Sequence, residues 1–405
     1  MTALRTGWLA AMAGGILALT VLVPTLDSVR YVPQADEGSY LQYAVRVAQQ
    51  GPEAMPELFR EYLEGARTRQ YYPTPIRLTT IAMQAVGVRL WGPSFESLQK
   101  ISVIAFLLLL GVVALTISRM VGSSIALYTT LLLAVSPLHL AMARRALSDS
   151  LVATLTLASF CVLLRAIHQE RWRLRTWCGI AALYTLTFLS REGSVTLAVL
   201  SLAALALGHR HPHAQSRVAP LCAVSILPLT LAATIVSVAA GGVATAWEAL
   251  QITAASADSN AYALTYGGGP WFRYVVDLVL LSPGTVLLYL VWLGMLLERR
   301  ERDDRQWAWA LVPILMVALL ALMTKNVRYA LCLELPIRLG AVLALQRLIS
   351  LRPSLQGWRC DAVLALGVAV LMWADVGTFL RLFVVGGIYD PVSAFLLQGQ
   401  GILPP

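Results

Sequence analysis

Charge is what this chain has least of. Only 13% of its 405 residues are Asp, Glu, Lys or Arg, against 58% hydrophobic. A soluble domain carries about a quarter charged residues, so no sizeable one fits and the class is a polytopic membrane protein. Cysteine is scarce too. The five present (Cys161, Cys178, Cys222, Cys332, Cys360) are odd in number and fall in apolar runs or beside basic loops, which argues against a disulfide framework. No His or Cys spacing suits zinc. The net charge of +9 does not indicate nucleic acid, because the basic residues form short clusters between apolar runs, where they act as topology signals. A clean cleavage site is also missing after the apolar run Trp8 to Val23, which Arg5 precedes, so that run is expected to stay as a first spanning helix.

What is present is a series of apolar runs. After the first they cover about 101–118, 123–141, 150–167, 176–190, 194–208, 218–240, 275–297, 307–324, 329–349 and 361–380, eleven expected spans in all. Every second connection is rich in Arg (165–175, 209–217, 298–305, 347–359), which by the positive-inside rule places those loops and the N-terminus in the cytoplasm and the C-terminus outside. The expected fold class is therefore all-α: an integral, multi-pass membrane protein of about eleven transmembrane helices. Residues 1–350 are read as one catalytic module, and 351–405 as a last span with a short outer tail.

The first outer loop, 27–100, is mixed in character and punctuated by Pro33, Pro52, Pro56, Pro73 and Pro75. Amphipathic surface helices are expected from Glu37 to Gln50 and from Ala54 to Arg67, then a more apolar piece from Ile76 to Trp91 that Arg77 and Arg89 interrupt. A second long connection, Gly241 to Arg273, carries Tyr262, Tyr266 and Trp271 and is read as a lid without structure of its own.

Almost all the unusual charges fall on the same expected face. Asp36, Glu37 and Asp149 share it with Arg144, Arg145, Arg191, Lys325 and Arg328. Carboxylates beside cations at a membrane boundary suit chemistry on an anionic lipid head group, with the cations holding phosphate. Each feature has a plainer explanation. Asp36 and Asp149 both stand where a helix starts and would serve as caps, Arg191 would pair with Glu192, and Arg328 with Tyr329 would anchor a span at the interface.

Five stretches, in order, resemble the GT-C glycosyltransferases, in the branch of the protein mannosyltransferases and the lipid A aminoarabinose transferase. Ala35 to Tyr40 is similar to the first acidic motif of that family, and Tyr71 to Arg77 leading to Leu90-Trp91-Gly92 to its proline-rich segment. Ser136 to Asp149 resembles the second acidic motif, Thr187 to Gly193 the turn that usually reads Leu-Thr-Lys-Gly, and Asn326 to Tyr329 the late Arg-Tyr motif. The likeness covers roughly residues 7–350. Two departures stand out: Tyr72 and Thr74 lie where many relatives have a basic residue or His, and Arg191 replaces the common Lys.

This resemblance implies transfer of a sugar from a polyprenyl-phosphate carrier to a hydroxyl acceptor, beside membrane lipids. Asp36 is then the general base, with Glu37 orienting it or holding sugar and Asp149 a further catalytic acid. Arg191, Arg144, Arg328 and Lys325 would bind the carrier phosphate, and Tyr40, Tyr72 and Tyr329 the sugar. No cofactor is firmly implied, although Asp36 and Asp149 offer hard oxygen ligands for magnesium or manganese. Two rivals remain: a flippase for lipid-linked sugar, disfavoured because the charges are read at span ends and no broken helices are evident, and a non-catalytic subunit of a glycan assembly complex.

Overall fold

The computed structural model describes residues 2–67, 73–167, 174–195, 197, 201, 222–259, 266, 267, 269–298, 304–322, 325–352, 357–388 and 396–398. Among the described residues every regular element is helical. The apolar α1 (Thr2–Leu26) is followed by the short helices α2 (Asp36–Gln50), α3 (Met55–Arg67) and α4 (Leu78–Trp91), within a residue or two of the pattern of the first loop. Then come α5 (Phe95–Met120), α6 (Ser123–Ala134), α7 (Pro137–Ala143), α8 (Asp149–Ile167) and α9 (Leu174–Phe188). The remainder are α10 (Leu227–Ala239), α11 (Val243–Ser259), α12 (Arg273–Leu281), α13 (Pro283–Glu298), α14 (Asp304–Leu320), α15 (Leu331–Ser350) and α16 (Trp358–Phe379).

Among the described residues, five helical stretches are long and apolar enough to cross a bilayer singly, and three further pairs do so when each bent pair counts as one span. These eight account for eight of the eleven expected segments. Of the rest, 176–190 and 307–324 hold helices of 15 and 17 residues, shorter than the ~20 a bilayer needs, and 194–208 lies almost wholly outside the described residues.

The bends have local causes. Pro137 opens α7 and Pro283 opens α13, and a proline both lacks the N–H that would continue the preceding helix and pushes the residue before it out of helical geometry. The angles are 58° for α6 to α7 and 119° for α12 to α13. Between α10 and α11 the chain turns by 107° at Gly241, whose φ of 77° favours glycine. Broken helices are thus present after all; Ser-Pro and Gly-Gly steps inside apolar runs were their signal. The expected lid is also corrected. Residues 243–259 form α11, which packs on α3, with the Tyr62 hydroxyl 2.9 Å from Thr253 Oγ1. Tyr262 lies outside the described residues.

The chain groups into two compact units: residues 1–29, 107–142 and 269–405 in one, 30–106 and 143–268 in the other. The first is built around α15, which packs on α6, α13, α14 and α16. Its interior holds charges in mid-span, against the expectation that they gather at span ends. Arg338, fully buried, donates from Nη1 to Asp375 at 2.7 Å and pairs through Nη2 with Glu334 at 2.7 Å. The Ser136 hydroxyl donates to Glu334 at 3.1 Å, and Ser282 accepts from Arg338 at 3.2 Å. Both serines sit at helix breaks, so the network ties two bends to α15. Arg338→Met would strand buried carboxylates, a loss of about 3–5 kcal/mol. The triple variant Arg338→Met with Glu334→Gln and Asp375→Asn should lose far less in thermal unfolding; equal losses would show that charge balance is not what the network supplies.

In the second unit α2 packs on α4, α8 on α9 and α9 on α10. The amphipathic α3 turns Met55, Leu58, Phe59, Tyr62 and Leu63 inward and leaves Glu57, Arg60, Glu61 and Glu64 exposed, the spacing of a helix with one buried face.

Candidate active site

The second unit gathers the acidic motifs. Its entry loop doubles back at the start of α2, where a side chain on residue 38 would put Cβ 1.8 Å from the Pro33 carbonyl oxygen, so only glycine fits after Asp36-Glu37. That approach turns Glu37 inward until it is fully buried. Its carboxylate accepts from Arg145 Nε at 2.9 Å and Nη2 at 2.6 Å, from the Ala146 N–H at 3.0 Å and from the Val32 N–H at 3.1 Å. A carboxylate has about four acceptor positions, so these bonds occupy it. Arg145 also donates to the Arg30 carbonyl, and the whole arrangement fastens the entry loop to the turn before α8.

Asp36 is half-buried and lies in the first turn of α2, whose cap position is Ala35. The helix-cap explanation of Asp36 therefore does not apply. One turn further on, Tyr40 is 1% exposed, and both it and Arg77 feel the Asp36 charge.

From Tyr40 the contacts run round a closed ring. The Tyr40 hydroxyl accepts from Arg77 Nη1 and lies 3.3 Å from the Ser148 hydroxyl. Beside Ser148, Asp149 opens α8 and is paired with Arg191 Nη1 at 2.5 Å. Next to Arg191, Glu192 is held by Arg77 through both Nε and Nη2, which closes the ring. Backbone bonds brace it: the Thr79 N–H donates to the Leu189 carbonyl and the Thr80 hydroxyl to the Ser190 carbonyl, fixing the start of α4 to the turn after α9. Arg191 and Glu192 do not pair with each other; each takes a partner from another element.

The electrostatics follow. Burial alone would raise Glu192, but the Arg77 guanidinium outweighs it and holds the carboxyl down to about 2. A depressed carboxyl adds stability above its ordinary value near 4.5, and the gain is lost as pH falls toward about 2, so the Arg77–Glu192 pair stays ionised at neutral pH. Burial disfavours the Arg77 charge, yet Glu192 lifts its pKa well above the usual range. Arg144 is pushed down to about 10 by burial and by the neighbouring Arg145.

Arg77 and Arg145 were legible only in part. Arg145 adjoins Arg144, and nothing in the sequence tells which of the two meets Glu37. Arg77 interrupts an otherwise apolar segment just after Pro75; that interruption was the available signal.

Lys325, Arg328 and Tyr329 belong to the first unit. There the buried Arg328 guanidinium lies 5.7 Å from the centre of the Tyr329 ring, the Asn326 side chain accepts from the Arg328 N–H, and Tyr274 accepts from the Asn326 N–H at 3.0 Å. The Lys325 ammonium donates to the Ala321 carbonyl at 3.3 Å. Tyr72 lies outside the described residues. Glu37 is on Arg145 and Asp149 on Arg191, and among the described residues no group of three or more His, Cys, Asp or Glu side chains could hold a metal ion.

Residues 78–237 match the family model of dolichyl-phosphate-mannose-protein mannosyltransferases. Among solved structures the chain superposes on the Archaeoglobus fulgidus oligosaccharyltransferase AglB, in complex with an inhibitory peptide and a dolichol-phosphate, with a TM-score of 0.58, 12% identity, 92% of this chain and 56% of that one covered. The chain has the GT-C fold. It is likewise similar to ArnT from Cupriavidus metallidurans bound to undecaprenyl phosphate, with a TM-score of 0.55, 16% identity, 97% of this chain and 75% of that one covered. The GT-C fold expected from the motif resemblance is borne out. The chain spans just over half the length of the oligosaccharyltransferase. Among curated proteins none matches it by sequence.

Proposed function

We propose that this GT-C chain is a glycosyltransferase that moves a sugar from a polyprenyl-phosphate carrier to a hydroxyl acceptor, with Asp36 as general base. The observation that carries the reading is the ring of Tyr40, Ser148, Asp149, Arg191, Glu192 and Arg77 beside Asp36. Transfer needs a base for the hydroxyl and cations for the departing phosphate; Asp36 beside the ring and Arg191 within it are the candidates. Asp36 takes the proton as the acceptor oxygen forms its bond to the sugar carbon. The carrier phosphate leaves with the electrons of the broken bond, and Arg191 and Arg144 stabilise its charge. Tyr40 faces the sugar. Glu37 holds the loop rather than the substrate, and no step runs through a metal.

Transfer is tested with purified protein in nanodiscs, offered polyprenyl-phosphate sugars and hydroxyl acceptors. A second reading, a flippase for lipid-linked sugar, is favoured by the bent helices and the mid-span network around Arg338, both of which suit transport as well as support. Orientation is tested by cysteine labelling. With the proposed N-in, C-out arrangement, an impermeant thiol reagent outside the cell reaches Asp258→Cys and Asp390→Cys in an otherwise cysteine-free variant and does not reach Asp304→Cys. Outside labelling at 304 would reverse the topology.

A further inference from the structure

Helix α11 (Val243–Ser259) has three sides rather than two. One, made of Ala246 and Ala249, is buried, and Thr253, next along it, meets the Tyr62 hydroxyl of α3. A second is apolar and uncovered: Val243, Trp247, Leu250 and Ala254 recur at helical spacing, and the first three are 73%, 60% and 40% exposed. The third carries Ala244, Gln251 and Ala255, also exposed, with Glu248 half-buried beside them. The apolar stripe holds no charge, and a tryptophan stands within it.

The direction of the helix says what covers the stripe. Helix α10 is apolar and exposed at Leu227, Leu229, Leu231, Ile235 and Val238, as a helix surrounded by lipid must be. A turn of 107° after a helix that crosses the membrane leaves α11 nearly parallel to the membrane surface. Val238 and Val243, both exposed, flank that turn, so the stripe continues the lipid-facing side of α10. At the turn, Pro56 of α3 lies 3.6 Å from where a side chain on Gly241 would start, and α3 presents Glu57, Arg60, Glu61 and Glu64 to water. A helix with a tryptophan on an apolar side and polar residues on another suits the plane of the interface. We propose that α11 lies in the membrane interface, with Val243, Trp247 and Leu250 seated in the lipid, and does not complete a bent span with α10. The Tyr62 hydroxyl that meets Thr253 also feels the charges of Arg77 and Glu192. The seat of α11 therefore fixes the height of the ring relative to the lipid.

The test is depth, read from spin labels on single cysteines in an otherwise cysteine-free full chain, in nanodiscs of phosphatidylcholine and phosphatidylglycerol. Collisions with oxygen, which concentrates in lipid, are compared with collisions with a water-soluble nickel chelate. Labels at Val243→Cys, Trp247→Cys, Leu250→Cys and Ala254→Cys should all favour oxygen at one shared depth, about 5–10 Å inside the headgroup boundary. Labels at Ala244→Cys, Gln251→Cys and Ala255→Cys should favour the nickel chelate. A bent span predicts a depth that changes steadily, by about 16 Å between 243 and 254, whichever face carries the label, and that result overturns the interfacial seat. Labels that favour nickel on both faces, as for a stripe left in water to meet another protein, overturn it too. Each face carries at least three labels, so one variant that fails to fold leaves the comparison intact.

Discussion

Asp36→Asn is expected to lower the rate of sugar transfer by about 10²- to 10⁴-fold, the usual contribution of a general base, with thermal stability nearly unchanged. Stability should hold because Asp36 is only half-buried and is not the cap of α2, whose cap position is Ala35. Asn keeps the shape and cannot take the proton. Matched assays of rate and melting temperature decide: turnover within a few-fold of wild type would remove Asp36 from the chemistry.

The neighbouring acid should behave in the opposite way. Glu37→Ala takes the carboxylate from the buried Arg145 and from the Ala146 and Val32 N–H groups, and breaking a buried pair from one side costs about 3–5 kcal/mol. The expected result is a large fall in melting temperature, with poor recovery of folded protein. Replacing Arg145 and Glu37 together, as Arg145→Met with Glu37→Gln, should recover much of the loss. Near-normal stability in Glu37→Ala alone would contradict the role given to this carboxylate as the fastening of the entry loop. Two adjacent acids thus separate into a structural one and a chemical one, a division that follows from which of them Gly38 turns inward.

The sequence made the surface helices legible because their apolar residues recur at helical spacing; α2, α3 and α4 begin and end within about two residues of that pattern. The acidic motifs and Arg191 were picked out through the GT-C resemblance. Pairing was not legible. Asp149 meets Arg191 from 42 residues away and Arg77 meets Glu192 from 115, and spacing along a chain carries no information about such distant partners. Adjacent charges such as Arg191 and Glu192 invite the inference that they pair, whereas neighbours at a turn point to different elements. Hydropathy hid the network of Glu334, Arg338 and Asp375, because a few polar residues barely alter the average of a long apolar run, and it hid the bend at Pro283 for the same reason. Helix α11 was mistaken for a lid because Ala- and Ser-rich sequence reads as a loop when its burial partner, α3, is almost two hundred residues earlier.

The central claim, transfer rather than transport, is tested most directly by giving the purified wild-type chain in nanodiscs a panel of labelled polyprenyl-phosphate sugars with hydroxyl acceptors. The account predicts that at least one donor yields labelled acceptor and free polyprenyl phosphate in equal amounts, and that Asp36→Asn abolishes both. No transfer from any donor, together with movement of the intact sugar-lipid across the bilayer when the same protein is placed in sealed vesicles, would contradict it.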